Sequence, residues 1–170
     1  MSHRALVFCF VTLAAPAVLA QSWVKPSNCP ATLRTLGTGI QRCPAEGCTI
    51  KVTVIPPTKT TPCIASIDNG DFRVTPSAGP KKQIKWQISS CPVSMCRFDD
   101  TQGIYILTDP ATQMIDRSFT ASSPRVYGWK DKNDVNLAVV TYEPRVWWRS
   151  SPGAQPQACC PIDPKITNDN

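Results

Sequence analysis

The sequence predicts an all-β domain, an antiparallel sandwich or barrel whose N-terminal arm and C-terminal tail are fastened by disulfides. Three observations predict it. Strand-like runs recur at intervals of roughly 8 to 14 residues with no convincing helix between them. Lys82 to Ser89 alternates Ile84, Trp86 and Ile88 with Gln83, Lys85 and Gln87, the period of a strand with one buried and one wet face. Eight of the 9 cysteines lie beyond residue 20, an even set that reads as four disulfides in an exported chain.

Residues 1–20 have the layout of a cleaved secretory signal peptide. A positive charge at Arg4 precedes an apolar run from Ala5 to Leu19, and Val18-Leu19-Ala20 is a small-residue exit before Gln21. The run is too short for a membrane span of about 20 residues, and Cys9 sits behind a bulky Phe8, a poor lipoprotein site. Secretion or delivery to the periplasm is therefore expected, with no membrane span. The division expected is 1–20 signal peptide, 21–62 a Cys- and Pro-rich arm with the first strand, and 63–170 the sandwich core and tail.

In chain order, Gln21 to Pro62 begins with a Pro-, Thr- and Gly-rich segment. Leu33, Leu36 and Ile40 have helical spacing, but Gly37 and Gly39 limit any helix to one turn. Thr49 to Ile55 alternates Ile50, Val52 and Val54 with polar residues and is closed by Pro56-Pro57, a strand. Cys63–Ile67 and Phe72–Val74 flank Asp68-Asn69-Gly70-Asp71, which predicts a hairpin because Asn and Gly tolerate the positive φ of primed turns. The Lys82–Ser89 strand follows, with Lys81, Lys82 and Lys85 expected on its wet side. Gly103–Leu107, Met114–Phe119 and Val126–Trp129 are short strands, and Asp109-Pro110 is a turn former. Leu137 to Tyr142 is a strand with Ala138, Val140 and Tyr142 on one face. Pro144 interrupts its continuation to Val146 and Trp148, which implies an edge or a bulge.

Adjacent cysteines rarely bond each other, because the bridge strains the intervening peptide. Cys159 and Cys160 are thus expected to reach two different partners; of the 105 pairings that eight cysteines allow, the first choice is Cys63 for one of them and Cys29 for the other, with Cys43–Cys48 and Cys91–Cys96 as local clips. Structural zinc is not expected: there is no Cys-x-x-Cys pair, and the only histidine, His3, leaves with the leader. The same loss removes histidine-based triads, general bases and copper sites. No metal and no cofactor are expected. Without Arg4 the chain has 17 Lys+Arg (18 − 1) against 12 Asp+Glu, a net of +5 spread along its length. That carries no specific nucleic-acid signal and reads first as a solvated basic surface; the alternative is weak attraction to acidic partners such as an anionic envelope surface or polyanionic sugars.

Three constellations bear on chemistry. Asp99-Asp100 is a paired carboxylate in a loop, read as a solvated turn rather than a glycosidase pair. Asp131-Lys-Asn-Asp134 places oxygen donors at alternate positions but lacks the EF-hand glycine and glutamate, and reads as a plain turn. Trp147 and Trp148 are neighbours on a strand and should face opposite ways. An exposed one beside Arg145 and Arg149 would stack on a sugar ring or anchor a protein; the alternative is that core and tail cover both.

Ile84-x-Trp86-x-Ile88, Phe98, Gly103-Ile104, Trp129-Lys-Asp131-Lys-Asn133 and Cys160-x-x-Asp163-Pro164-x-Ile166-x-Asn168 occur in this order. The set resembles a scattered group of small exported bacterial proteins without established activity, over roughly Cys63 to Asn168. The resemblance implies an antiparallel immunoglobulin-like β-sandwich and supplies no catalytic residues. The functional expectation is a non-enzymatic binding or structural module acting outside the cytoplasm, its partner an extracellular protein or acidic envelope surface. The alternative is an inhibitor of an extracellular protease or lysozyme, presenting Val93-Ser94-Met95 on the Cys91–Cys96 clip. A third reading, an enzyme working through Asp99 or Asp100 alone, has the least behind it.

Overall fold

The computed structural model describes residues 21–31, 33, 39–44, 47–75, 82–92, 94–119 and 123–168. The signal-peptide segment and Val93 lie outside the described residues, as do Leu36, Gly37 and Lys81. Among the described residues every regular element is a strand.

Hydrophobic alternation forms the middle of the larger sheet. In β5 (Lys82–Ile88), Ile84, Trp86 and Ile88 are buried while Gln83, Lys85 and Gln87 are exposed; in β2 (Cys48–Ile55), Ile50, Val52 and Val54 are buried in the same way. Fully burying each such side chain stabilises the fold by about 1.5–3 kcal/mol. Lys82 shares the parity of Ile84 and is half-buried, so the expectation that it lies on the wet side is corrected by the pleat itself. This six-stranded sheet runs β13 (Cys160–Pro161), β3 (Ile64–Ile67), β2, β5, β9 (Val126–Asp131) and β8 (Met114–Phe119). The second sheet runs β1 (Ile40–Cys43), β4 (Asp71–Val74), β14 (Lys165–Asn168), β10 (Val139–Pro144) and β7 (Ile104–Thr108). A third, of three strands, runs β12 (Gln157–Ala158), β11 (Val146–Trp148) and β6 (Cys96–Phe98). The two large sheets meet where Trp86 of β5 packs edge-to-face on Tyr142 of β10, ring centroids 5.2 Å apart, with both side chains fully buried.

Three expectations need correction. The sheets are mixed, not wholly antiparallel: β1–β4, β4–β14, β13–β3 and β2–β5 pair in parallel. The Asp68–Asp71 reversal is not a hairpin, because β3 belongs to the six-stranded sheet and β4 to the five-stranded one. A primed turn needs positive φ, and neither Asn69 nor Gly70 has it. Instead the segment crosses between sheets, held by Thr53 Oγ1 donating to Asp68 and Asn69 Nδ2 donating to Gln41. The tail is also more than a fastened extension: β14 lies inside the five-stranded sheet, between β4 and β10.

Pro144 ends β10 where a missing N–H costs little. The pairing with β14 covers only Val139 to Thr141, so at Pro144 the strand has a single neighbour, β7, with a register shift between Thr141 and Tyr142. Arg145 then carries the chain from the five-stranded sheet into the three-stranded one. Four disulfides form, Cys29–Cys160, Cys63–Cys159, Cys43–Cys48 and Cys91–Cys96, in keeping with the expected local clips and with separate partners for the two tail cysteines. The Cys160 amide donates to the Cys63 carbonyl at 2.7 Å, so β13 and β3 are joined by ladder and bridges together.

Candidate functional site

Arg145 is occupied by its own protein. Its Nε donates to Glu143 at 2.9 Å and its Nη1 to Gln102. The guanidinium lies over the Tyr105 ring at 3.7 Å and the Trp23 ring at 4.9 Å, a cation–π arrangement strengthened by partial desolvation. Glu143 also meets Lys25 at 3.8 Å. This cage ties the arm to the sheet switch, and Trp23 Nε1 completes it by donating to the Val146 carbonyl.

The two tryptophans of β11 face opposite ways, as the strand requires, but neither is left open. Trp148 is half-buried against the main core. Trp147, on the other face, is 3 % exposed and donates its indole N–H to Asp99 Oδ2 at 3.1 Å. Arg149 is half-buried, its amide donating to the Met95 carbonyl. The four residues thus form a band around β11 that joins arm, tail and clip.

Asp99 is a buried structural acceptor and not part of a solvated carboxylate pair, which corrects the sequence expectation. Its Oδ1 takes the Thr101 amide, the Thr101 hydroxyl and the Gln102 amide. Burial works to raise its pKa, but the hydrogen bonds from Thr101, Gln102 and Trp147 outweigh it and hold the carboxyl below the ordinary aspartate value. Asp100 points away, exposed, and pairs with Arg97 at 2.7 Å. Such a pair lacks the facing arrangement that glycoside hydrolysis needs.

The Asp131–Asp134 segment is likewise more than a plain turn. Asp131 and Asn168 are 0 % and 1 % exposed, and Gln113 is fully buried beside them. Asn168 Nδ2 donates to Gln113 Oε1 at 2.9 Å and to Asp131 Oδ1 at 3.3 Å; the Asn133 amide donates to the same carboxylate oxygen. The network joins the ends of β9 and β14 to the start of β8. In the sequence, Trp129-x-Asp131-x-Asn133 and Asp163-Pro164-x-Ile166-x-Asn168 are separate motifs. Their asparagines and aspartate meet here because β14 inserts beside β10.

Burial raises the Asp131 pKa; the Asn133 and Asn168 hydrogen bonds oppose this, and the charges of Asp109 and Asp134 add to the rise. Asp131 Oδ2 is buried without a hydrogen-bond partner, so the charged carboxylate is the costlier form there. A group with a raised folded pKa contributes stability that is complete below its unfolded value, about 3.9, and is lost as pH rises through the folded value. Asp131→Asn, which copies the protonated acid, is accordingly expected to match or exceed the native protein in urea midpoint at neutral pH. Its advantage should shrink toward pH 4. A native protein that gains stability over the variant as pH rises would contradict the raised pKa.

Among the concavities lined by described residues, two bear on ligand binding. One is a groove of about 600 Å³ between the arm, the 57–62 loop and the tail, with Ser22, Asn28, Thr58, Lys59 and Gln157 at its sides and Trp147 among its lining residues. The second, about 420 Å³, lies on the wet face of the six-stranded sheet around Lys51, Gln87, Ser89, Ser123 and Arg125. Sequence reading missed the second site; the only trace was the alternation that put Lys51 and Gln87 on exposed faces. Among the described residues no group of three or more His, Cys, Asp or Glu side chains is placed to hold a metal ion, and no helix is long and apolar enough to cross a membrane. No known family model and no curated protein matches the chain.

Proposed function

We propose that this protein is an exported, non-enzymatic binding module that holds its ligand in surface concavities kept rigid by the disulfides. The observation that carries this reading is the groove beside Trp147. Its arm wall is linked to the tail by Cys29–Cys160, and its 57–62 wall by Cys63–Cys159. A recess braced at both walls loses little conformational freedom when it is filled, which favours binding. The engagement of Asp99 by four internal donors also speaks against an enzyme that turns over on that carboxylate. Export is the natural setting for four disulfides.

The inhibitor reading has less support. A presented loop should stand clear of its scaffold, yet Met95 of the clip is half-buried against the core and its carbonyl accepts the Arg149 amide.

Affinity capture with the oxidised protein as bait, from a secreted or envelope fraction, tests the proposal. A partner retained by the native protein and lost on Asn28→Ala/Gln157→Ala, both exposed groove residues, is the expected result. Uniform failure to retain anything, together with turnover abolished by Asp99→Asn, would replace the module with an enzyme. Stoichiometric loss of activity in a protease or lysozyme panel would replace it with an inhibitor.

A further inference from the structure

The pocket on the wet face of the six-stranded sheet is lined by hydrogen-bond donors and contains no carboxylate. Its placement follows from register. Lys51 of β2 stands opposite Gln87 of β5, which stands opposite Val126 of β9, so the first two side chains share one row of the wet face. Arg125 precedes β9 and is clamped to β5 twice. The Ile88 amide donates to the Arg125 carbonyl at 3.0 Å, and Arg125 Nη2 donates to the Ile88 carbonyl at 2.6 Å. Ser89 and Ser123 complete the rim.

We infer that this pocket binds a tetrahedral oxyanion, a phosphate or sulfate ester, between the Arg125 guanidinium and the Lys51 ammonium. The assignment rests on the binding-module reading and supplies a ligand class for it at this second concavity.

Charge sets the sign of the ligand. Neither Lys51 nor Arg125 has an ion-pair partner among the described residues, and the hydroxyls of Ser89 and Ser123 and the Gln87 amide are not engaged by protein groups there either. Two uncompensated cations in one recess attract an anion at long range and hold it at short range.

Geometry sets its shape. A planar carboxylate is best held by two parallel guanidinium N–H groups. Here Nη2 gives one of its two N–H groups to the Ile88 carbonyl and Nε is buried without a partner, so the fork is only partly available for such a parallel pair. The other donors, on Lys51, Gln87, Ser89 and Ser123, come from β2, from β5 and its end, and from the residues before β9, and are more than the two oxygens of a carboxylate take up. A tetrahedral anion presents oxygens to each of these sides. The volume exceeds what a bare anion fills and leaves space beside Val126 for the alcohol half of an ester.

The test is an amide-resolved NMR titration of the oxidised protein at fixed ionic strength, with inorganic phosphate and then glycerol 3-phosphate as probes. Saturable shifts are expected at Gln87, Ser89, Arg125 and Val126, with glycerol 3-phosphate binding the tighter of the two. Lys51→Gln and Ser89→Ala change exposed side chains and keep the fold; each should weaken binding at least fivefold. Lys59→Gln, on the other groove, should leave it unchanged. No saturable shift at these amides, or equal weakening by Lys51→Gln and Lys59→Gln, would overturn the site. No saturable shift with phosphate or glycerol 3-phosphate, while a partner is still captured and lost on Asn28→Ala/Gln157→Ala, would overturn the oxyanion site alone; saturable shifts with no partner captured would overturn the groove reading alone.

Discussion

Replacing Trp86 with alanine is expected to destabilise the protein by about 3–5 kcal/mol, the range for truncating a buried aromatic side chain. Trp86 is fully buried at the contact between the two large sheets, so the loss falls on both. Its ring packs on Tyr142, whose own environment is closed enough to push the phenol pKa up by burial. The alanine leaves a cavity walled by Ile50, Tyr127 and Tyr142, on strands that are pinned by their ladders and cannot collapse fully into it. Urea unfolding at pH 7 measures the effect. A loss below about 1 kcal/mol would show that the sheets do not depend on this contact.

The two tail bridges are expected to be partly redundant singly and decisive together. On chain-entropy grounds a bridge closing a loop of about 100 residues contributes about 4.7 kcal/mol, and Cys63–Cys159 and Cys29–Cys160 span 96 and 131 residues. With one in place, however, the other closes only the stretch from Cys29 to Cys63, because their tail ends are adjacent. Cys63→Ala/Cys159→Ala should therefore cost about 4 kcal/mol, and removal of both bridges about 8 or more. The larger figure approaches the whole stability of a typical domain. Removing Cys43–Cys48, with a separation of 5, should cost only about 2 kcal/mol. Thermal or urea unfolding of the three variants gives the order. Equal losses from the local clip and from Cys63–Cys159 would remove the entropic account.

Alternation made the centre of the fold legible. Ile84, Trp86 and Ile88, and Ile50, Val52 and Val54, are buried where period two puts them, and Val140 and Tyr142 follow the same rule. Cysteine adjacency showed that Cys159 and Cys160 take different partners, but Cys63 and Cys29 were a choice among the 105 pairings that eight cysteines allow. The candidate site was less legible. The aromatic pair and its arginines were visible as types, but their partners were not: Asp99 lies 48 residues from Trp147, and Trp23 reaches Val146 across 123. Nothing local in Lys165–Asn168 announces a strand that sits between two others.

The chain by itself determined which apolar side chains of the central strands face inward, that the two tail cysteines take different partners, and the all-β class. Those properties depend on spacing and on the chemistry of neighbours, both of which are written in the sequence. Only the tertiary structure decided which strands are neighbours. Parallel pairs such as β2–β5 and β4–β14 join segments whose connections are long, and no turn chemistry specifies such a register. The same non-local pairing brought Asp131 to Asn168, turned the Asn69-Gly70 reversal into a crossing between sheets, and set Lys51 beside Gln87 and Arg125.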